Sequence, residues 1–275
     1  MGEQSVPLSE THELTYLGRL LDAIEMICGG VAATSYRDAA AAIGVPRSTA
    51  HRLLSLLIER GYCDRGEDGG FRPGARLFSM GVLALEQLPQ WTAARKVVAE
   101  LGQTIGESVT FGLLIGDEIV LTARYNSPQA LTAVAHVGDI LTPHGSALGK
   151  AILSVATAEK RRSIVDRFAP GSAEHILERL GSELSEVSSQ GYSVDEEVFS
   201  PGMRCRAVPV VDLDCGTIGG LSVSGPSARF SLAQAESTVS LLHEAASRLM
   251  SRPRPRPAAA TTLPPTSPEV RRSDA

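Results

Sequence analysis

The segment from Ser35 to Leu57, SYRDAAAAIGVPRSTAHRLLSLL, constrains the fold more than any other part of this chain. It predicts two short helices joined by a tight turn. Ser35 can accept a hydrogen bond from the third backbone amide of the first helix, and Asp38 can return one, as in a capping box. Gly44 tolerates the positive φ of a tight exit, and Pro46 fits the first position of the next helix. This pattern is typical of a helix-turn-helix.

The second predicted helix has one apolar and one polar face. Its apolar residues fall at helical spacing and are expected to face a core: Ala50, Leu53, Leu54 and Leu57. Its leading edge and opposite face carry side chains that can donate to phosphates and base edges: Arg47, Ser48, Thr49, His51 and Arg52. We therefore expect a DNA recognition helix. An ordinary helical hairpin with a solvated polar face is the alternative, because such patterns also arise by chance.

The flanks of the motif favour DNA binding. An apolar helical face before it supplies a third helix for a core: Leu17, Leu20, Leu21, Ile24 and Ile27. After it, Tyr62–Arg65 and Phe71–Pro73 surround a glycine-rich tip, which predicts a β-hairpin wing. Residues 14–75 are thus predicted to form a winged helix-turn-helix domain. Beyond the recognition helix, its candidate DNA contacts are Ser35, Arg37, Arg65 and Arg72.

Composition limits the partners. A chain of 275 residues, 43% hydrophobic and 21% charged, can form two domains, of about 60 and about 150 residues. Its net charge of −5 predicts modest non-specific DNA affinity, so binding should depend on dimerisation and base readout rather than on coating DNA.

The sequence of the N-terminus and the spacing of the cysteines predict neither a signal peptide nor a metal site. Residues 1–13 carry acids where a signal peptide has basic residues, and there is no run of eighteen apolar residues. We expect a cytoplasmic protein, on the nucleoid when bound to DNA, with a disordered N-terminus over residues 1–13. The four cysteines lack zinc-ligand spacing, so neither metal nor cofactor is predicted. Residues 251–275, rich in proline and arginine, predict a disordered tail.

Two further segments complete the predicted organisation. Residues 76–90 are predicted to form a linker helix with more apolar surface than a linker needs in water, which suggests self-association as a homodimer or homotetramer. Residues 91–250 mix helices with strands, including a hairpin at Gly116–Asp117 and a strand over 131–136, and predict an α+β domain.

Three motifs follow the linker in order: PHGSALGKAIL, GYSVDEEVFSPGMRCRAVPVVD and GGLSVSGP. With the winged helix before them, they make residues 14–250 resemble the IclR family of bacterial transcriptional regulators. The resemblance implies a C-terminal GAF-like effector-binding domain. It also implies a ligand pocket, whose residues in this chain are Ala147, Leu148, Asp195, Cys205, Ser222 and Ser224.

The chemistry of these positions suits a small organic acid or amino acid. Ser222 and Ser224 alternate onto one strand face, and the backbone amides near Gly145 and Ser146 can hold a carboxylate. An ionised Asp195 repels an anion unless it bonds a ligand hydroxyl, is protonated, or pairs with Arg204. Arg206 stands where the family usually has an aliphatic residue. It either faces solvent, as we expect, or adds a positive charge near the pocket.

These features predict a DNA-binding regulator, a repressor of a double-stranded DNA operator controlled by a small-molecule effector. Two alternatives remain. The larger domain could be a scaffold without a ligand, its serines and cysteine simply packing under a sheet. A cysteine hydrolase could be assembled from Cys205, His144 and Asp195, but no nucleophile elbow surrounds the cysteine, so we predict no enzyme activity.

Overall fold

The computed structural model describes residues 8–30, 33–86, 91–129, 135–212 and 216–250. Residues 1–7, the expected tail over 251–275 and most of the expected strand over 131–136 lie outside this part. The described residues form two compact units, divided between residues 87 and 88. Among the described helices, none is long and apolar enough to cross a membrane.

The first unit has the element order of a winged helix-turn-helix. Its elements are α1 (Leu8–Cys28), α2 (Tyr36–Ile43), α3 (Arg47–Glu59), β1 (Cys63–Arg65), β2 (Phe71–Pro73) and α4 (Ala75–Glu86). Strands β1 and β2 pair antiparallel as the expected wing. Helix α1 begins at Leu8, so residues 8–13, expected to be disordered, are helical. Helix α4 covers the described part of the expected linker helix.

The apolar face of α1 lies differently from the expected one. Ala23, Met26 and Ile27 are buried against α2, α3 and the wing, whereas Leu17 is 51% and Leu21 60% exposed. Leu17 lies one turn before Leu20, the first residue of α1 that packs against this core. Leu21 lies beside the buried row rather than in it. Burial of these two leucines within this unit was therefore a wrong prediction.

The second unit is the expected α+β domain. Its elements are α5 (Trp91–Ile105), β3 (Ser108–Ile115), β4 (Glu118–Tyr125), β5 (Ile140–Leu141), α6 (Ala147–Val155), α7 (Ala158–Phe168), α8 (Ala173–Gln190), β6 (Ser193–Glu196), β7 (Met203–Asp212), β8 (Thr217–Pro226) and α9 (Leu232–Met250). The six strands form one antiparallel sheet in the order β5-β4-β3-β8-β7-β6. The predicted hairpin is present, with Ile115 paired to Glu118.

Helices cover both faces of this sheet. Helices α5 and α9 bury one face in a core that includes Val97, Phe111 and Leu242. Helix α6 lies on the other face, where Leu148 and Ile152 pack over the sheet, and α8 packs against α6. Close approach depends on Gly220, because a Cβ there would come within 2.7 Å of the side chain of Leu148.

The start of α6 is held tightly. Ser146 caps the helix, its hydroxyl accepting a hydrogen bond from the amide of Gly149 at 3.1 Å. A Cβ on Gly149 would lie 2.0 Å from the carbonyl oxygen of Pro143, so only glycine fits there. The PHGSALGK motif therefore fixes where α6 starts above the sheet.

Candidate functional sites

The first candidate site is the outer face of α3. Arg47, Ser48, His51 and Arg52 are exposed and Thr49 is half-buried, while the four residues expected in the core, Ala50, Leu53, Leu54 and Leu57, are buried. The face is therefore polar and accessible, as a recognition helix requires.

The turn that presents α3 has the expected local chemistry. The hydroxyl of Ser35 accepts a hydrogen bond from the amide of Asp38, whose carboxylate accepts one from the amide of Ser35 at 3.1 Å. This capping box starts α2, and Gly44 ends it in the left-handed conformation at φ 72°. Hydrogen bonding by Ser35 lowers the pKa of Asp38. The Ser35 side chain is thus occupied in the cap, while Arg37 is exposed on the first turn of α2.

Aromatic contacts tie the wing and α3 to α2. The ring of Tyr36 lies 4.4 Å from the ring of His51 and 5.2 Å from that of Phe71. The guanidinium of Arg65 lies 4.0 Å from the centre of the Phe71 ring and donates to the carbonyl of Thr34. Arg65, one of the two wing arginines expected to contact DNA, therefore also holds the wing against α2 and the segment before it.

Arg72, the other wing arginine, is exposed and pairs with the carboxylate of Asp68 at 3.0 Å. This ion pair is exposed on both sides and so contributes little to stability. A phosphate could replace Asp68 at small cost.

The second candidate site is a cavity of about 170 Å³ between the sheet and the start of α6. All six pocket residues implied by the family resemblance line it: Ala147, Leu148, Asp195, Cys205, Ser222 and Ser224. They come from α6, β6, β7 and β8, which are separated along the chain. Ser146, whose backbone amide was expected to help hold a carboxylate, also lines the cavity. The cavity has further lining residues that the sequence analysis did not single out: Thr110, Leu121, Arg124, Ala135, Leu141, Phe199, Ser200 and Met203.

Strand register explains how these side chains meet. Ser224 is paired with Cys205, and Cys205 with Asp195, so one row of three side chains crosses three strands on the α6 face. A second row, two residues along, joins Ser222 to Thr110 and Thr110 to Arg124. The floor of the cavity is therefore polar.

Asp195 lines the cavity and also stabilises the loop that carries Phe199. It is 2% exposed, and its Oδ1 accepts hydrogen bonds from the amides of Val198 (3.0 Å) and Phe199 (3.1 Å). These bonds hold the loop that places Phe199 against the cavity. The suggested pairing of Asp195 with Arg204 is not found, because Arg204 pairs with Glu196 at 2.5 Å.

Cys205 and His144, the proposed nucleophile and base of the alternative cysteine hydrolase, do not form a catalytic pair. Burial raises the pKa of the Cys205 thiol to about 12, and the nearby carboxylate of Asp195 acts in the same direction. At neutral pH the nucleophilic thiolate is therefore negligible. His144 lines a different cavity, beside Arg179 and Glu183, and its buried Nδ1 has no hydrogen-bond partner in the described residues.

Arg206 corrects one expectation. It lies on the alternate strand phase from Cys205, but it is 1% exposed instead of facing solvent. The reason is that α9 covers this face of the sheet and provides an acid. The guanidinium pairs with Glu196 at 2.6 Å and with Glu236 at 2.8 Å, and it donates to the carbonyl of Cys205. Arg206 thus fixes β6 and β7 from behind the cavity.

Comparison with known proteins identifies the family from both units. A winged helix-turn-helix followed by an α+β unit with a cavity over its sheet is the organisation of a ligand-responsive transcriptional regulator. The IclR helix-turn-helix domain profile matches residues 17–65, and the profile of the bacterial transcriptional regulator IclR C-terminal domain matches residues 82–251. The chain belongs to the IclR family of DNA-binding transcriptional regulators.

Individual relatives span most of the chain. The HTH-type transcriptional regulator BhcR of Paracoccus denitrificans (strain Pd 1222) is 28% identical over 239 residues, which cover 85% of each chain. The acetate operon repressor of Salmonella typhimurium is 27% identical over 226 residues, covering 80% of this chain and 82% of the repressor. The crystal structure of an IclR homolog complexed with 4-hydroxybenzoate, from Microbacterium hydrocarbonoxydans, has a TM-score of 0.71 and 25% identity, covering 86% of this chain and 97% of that one.

Proposed function

We propose that this regulator is a repressor whose cavity over the sheet binds a small organic acid or amino acid, and that this effector alters operator binding. The observation that carries the proposal is the meeting of Asp195, Cys205, Ser222 and Ser224 with Arg124 around one cavity. Such a mixture of charges and hydroxyls beside apolar side chains is characteristic of sites for small polar molecules. An IclR homolog with a similar fold was crystallised with an aromatic acid, and one relative is an operon repressor.

The proposed DNA contacts are the exposed side chains of α3 together with Arg37, Ser35 and the two wing arginines. The α3 residues Arg47, Ser48, Thr49, His51 and Arg52 would enter the major groove, with Arg52 and His51 as base readers. Arg65 and Arg72 would contact phosphates from the wing. Ser35 would contribute by fixing α2, since its hydroxyl is occupied in the cap.

We infer that the protein acts as a homodimer or homotetramer on a palindromic operator, on the nucleoid of a bacterial cytoplasm. In support, α4 exposes Phe78 (65%), Met80 (45%) and Val82 (55%), and α1 exposes Leu17 and Leu21. Exposed apolar side chains in such numbers on two helices favour a protein partner. A symmetric dimer would present two recognition helices to two half-sites.

The experiment that tests the proposal is a mobility shift on DNA upstream of the protein's own gene, with a panel of small carboxylates and amino acids. We expect specific binding that one compound changes, and we expect Ser222→Ala to remove the response at unchanged operator affinity. A response that persists in this variant would place the effector elsewhere. Specific binding indifferent to every compound would favour a ligand-free scaffold.

The enzyme alternative receives no support from the cavity. The relatives named above are transcriptional regulators rather than enzymes. The raised pKa of Cys205 and the position of His144 in a separate cavity argue against a nucleophile built from these two residues.

A further inference from the structure

A second cavity of the α+β unit, called here the α8 cleft, lies between the segment before α6 and one face of α8. Its volume is about 280 Å³, and its lining residues are His144, Ile176, Arg179, Leu180 and Glu183. The last four follow helical spacing along α8 and so form one face of that helix. None of the five lines the cavity over the sheet. The α8 cleft is therefore a separate place for a ligand.

Arg179 brings a positive charge to the cleft that the protein does not neutralise. It is exposed, and it makes no ion pair or hydrogen bond with any residue that the structure describes. Two exposed arginines of the preceding helix, in contrast, have acidic partners: Arg162 pairs with Glu174 and Arg167 with Glu118. The guanidinium of Arg179 is thus available to an anion from outside the chain, to which it can donate two parallel hydrogen bonds.

Glu183, the acid of the cleft, already has its counter-charge. Its carboxylate accepts a hydrogen bond from the ammonium of Lys150 at 2.7 Å. Lys150 is 6% exposed and also donates to the carbonyl of Val194 at 2.8 Å, so the pair is fixed from the side of the protein. With this acid neutralised, the charge of Arg179 leaves the cleft positive overall.

His144 offers a further hydrogen-bond donor. Neither of its ring nitrogens has a partner in the described parts of the chain, and Nδ1 is fully enclosed. A hydrogen on Nδ1 would be a buried donor without an acceptor, which is unfavourable, so we expect the hydrogen on Nε2. The Nε2–H group can then donate to a ligand in the cleft.

The shape and lining of the cleft suit more than a bare ion. Its volume of about 280 Å³ is close to the lower end of the ~300–1,000 Å³ that small-molecule pockets have. Ile176 and Leu180 provide apolar surface beside the donors. A phosphate group has three terminal oxygens, so it can accept from a guanidinium and an imidazole at once, whereas the guanidinium alone occupies both oxygens of a carboxylate.

We propose that the α8 cleft is a second small-molecule site, which binds a phosphate monoester. Arg179 and His144 donate to the phosphate oxygens, and Ile176 and Leu180 pack against the organic part. The site does not depend on the effector proposed for the cavity over the sheet. His144 lies two residues before Ser146, which caps α6 and lines that other cavity, so a ligand here binds to the segment that leads into the cap.

The test uses phenyl phosphate, with inorganic phosphate and phenol as its two separate parts. Each is titrated into full-length protein by calorimetry at physiological salt, which screens non-specific attraction of anions. We expect phenyl phosphate to bind once per chain and phenol not to bind. Inorganic phosphate should bind about tenfold more weakly than phenyl phosphate, because it buries no apolar surface against α8.

Variants of the two donors test the assigned contacts. Arg179→Gln should weaken phenyl phosphate about tenfold or more, the effect of losing a charge-assisted hydrogen bond, and Arg179→Lys should keep part of the affinity. His144→Phe keeps a ring but removes the donor and should weaken binding several-fold. Arg248→Gln is the matched control, since it removes an exposed arginine of α9 that pairs with Glu100, and it should bind like the wild type.

Two further variants separate the α8 cleft from the sites described above. Arg52→Ala removes an exposed arginine from the proposed DNA-binding face, which also can attract phosphates, and Ser222→Ala changes the cavity over the sheet. Neither should alter the affinity for phenyl phosphate. If one of them loses binding while Arg179→Gln keeps it, the phosphate belongs to that other site and the proposal is overturned.

The proposal is also overturned if phenyl phosphate does not bind, if phenol binds as tightly, or if Arg179→Gln binds like the wild type. Melting temperatures are measured for every variant. Should Arg179→Gln melt lower than the wild type, Arg179→Lys and His144→Phe decide: weaker binding by both supports the site, and unchanged binding by both overturns it. Operator binding is measured in parallel. Its absence in the wild type counts against the regulator, whereas its presence without phosphate binding counts only against the cleft.

Discussion

At the scale of single residues, we expect the thiol of Cys205 to react slowly with electrophiles. Its raised pKa, about 12 against an ordinary 9.0, leaves roughly a thousandfold less thiolate at a given pH. We expect iodoacetamide at pH 8 to label Cys205 about a hundredfold more slowly than Cys28, which is exposed. Peptide mass spectrometry over time measures both rates in one sample. Comparable rates would show a reactive thiol and revive the hydrolase.

Arg206 is a second residue whose surroundings decide its effect. Arg206→Ala leaves a void and strands two carboxylates, but Glu196 (35% exposed) and Glu236 (50%) can regain water. We therefore expect a loss of about 2–4 kcal/mol in the free energy of unfolding. Arg206→Met strands the same carboxylates but fills the space with an apolar chain, so it should cost less than Arg206→Ala. Urea unfolding of the two variants checks this order. Equal losses would show that charge, not packing, dominates.

At the scale of elements, the turn between α2 and α3 depends on one left-handed residue. Gly44 has φ 72°, and a Cβ there would meet nothing within 4 Å. The cost of Gly44→Ala is therefore conformational alone, about 1–2 kcal/mol in unfolding free energy. Gly18→Ala is the matched control. That glycine also has open space but lies inside α1, where alanine should stabilise by up to ~1 kcal/mol. Thermal unfolding should move in opposite directions for the two variants.

The sequence predicted where helices and strands lie better than it predicted which face of the sheet each side chain occupies. Helices α2 and α3 and the Gly116–Asp117 hairpin were predicted because caps, turns and helical periodicity are local signals. The face of Arg124 was not predictable. The register of β4 against β3 shifts between Phe111 and Gly112, so Thr122 is an extra residue on β4. Leu121 and Arg124, three residues apart, consequently both line the cavity, and simple alternation would put them on opposite faces.

The burial of a side chain is equally hard to predict from sequence when it depends on a helix or strand far away along the chain. Arg206 was placed on the correct strand phase, but its burial depends on Glu236, thirty residues away on α9. Leu17 and Leu21 fit an apolar helical face, but the core of this unit covers other residues of α1, including Ala23, Met26 and Ile27. The six implied pocket residues came from family motifs, whereas Arg124 lies outside all three motifs. Phe199 and Met203 lie within the second motif, but the resemblance did not assign them to the pocket.

At the scale of the whole molecule, each unit has its own hydrophobic core, and each holds one candidate site. Binding energy for DNA and for the effector therefore depends on separate sets of contacts. A change on the outer face of α3 should alter operator affinity and leave the cavity intact. The reverse should hold for a change in the cavity, apart from the response of operator binding to the effector.

Arg52 provides the decisive case. It is exposed on α3, with its guanidinium 5.8 Å from the ring of Tyr16, and it makes no ion pair among the described residues. If it reads a base, Arg52→Ala should weaken operator binding by about tenfold or more, equivalent to ~1–3 kcal/mol, at unchanged melting temperature and effector affinity. Arg60→Ala, at the exposed C-terminal end of α3, is the control and should have a small effect. Fluorescence anisotropy with labelled operator measures both. Equal affinities for the wild type and Arg52→Ala would remove Arg52 from the recognition surface, because a base-reading arginine cannot be lost without cost.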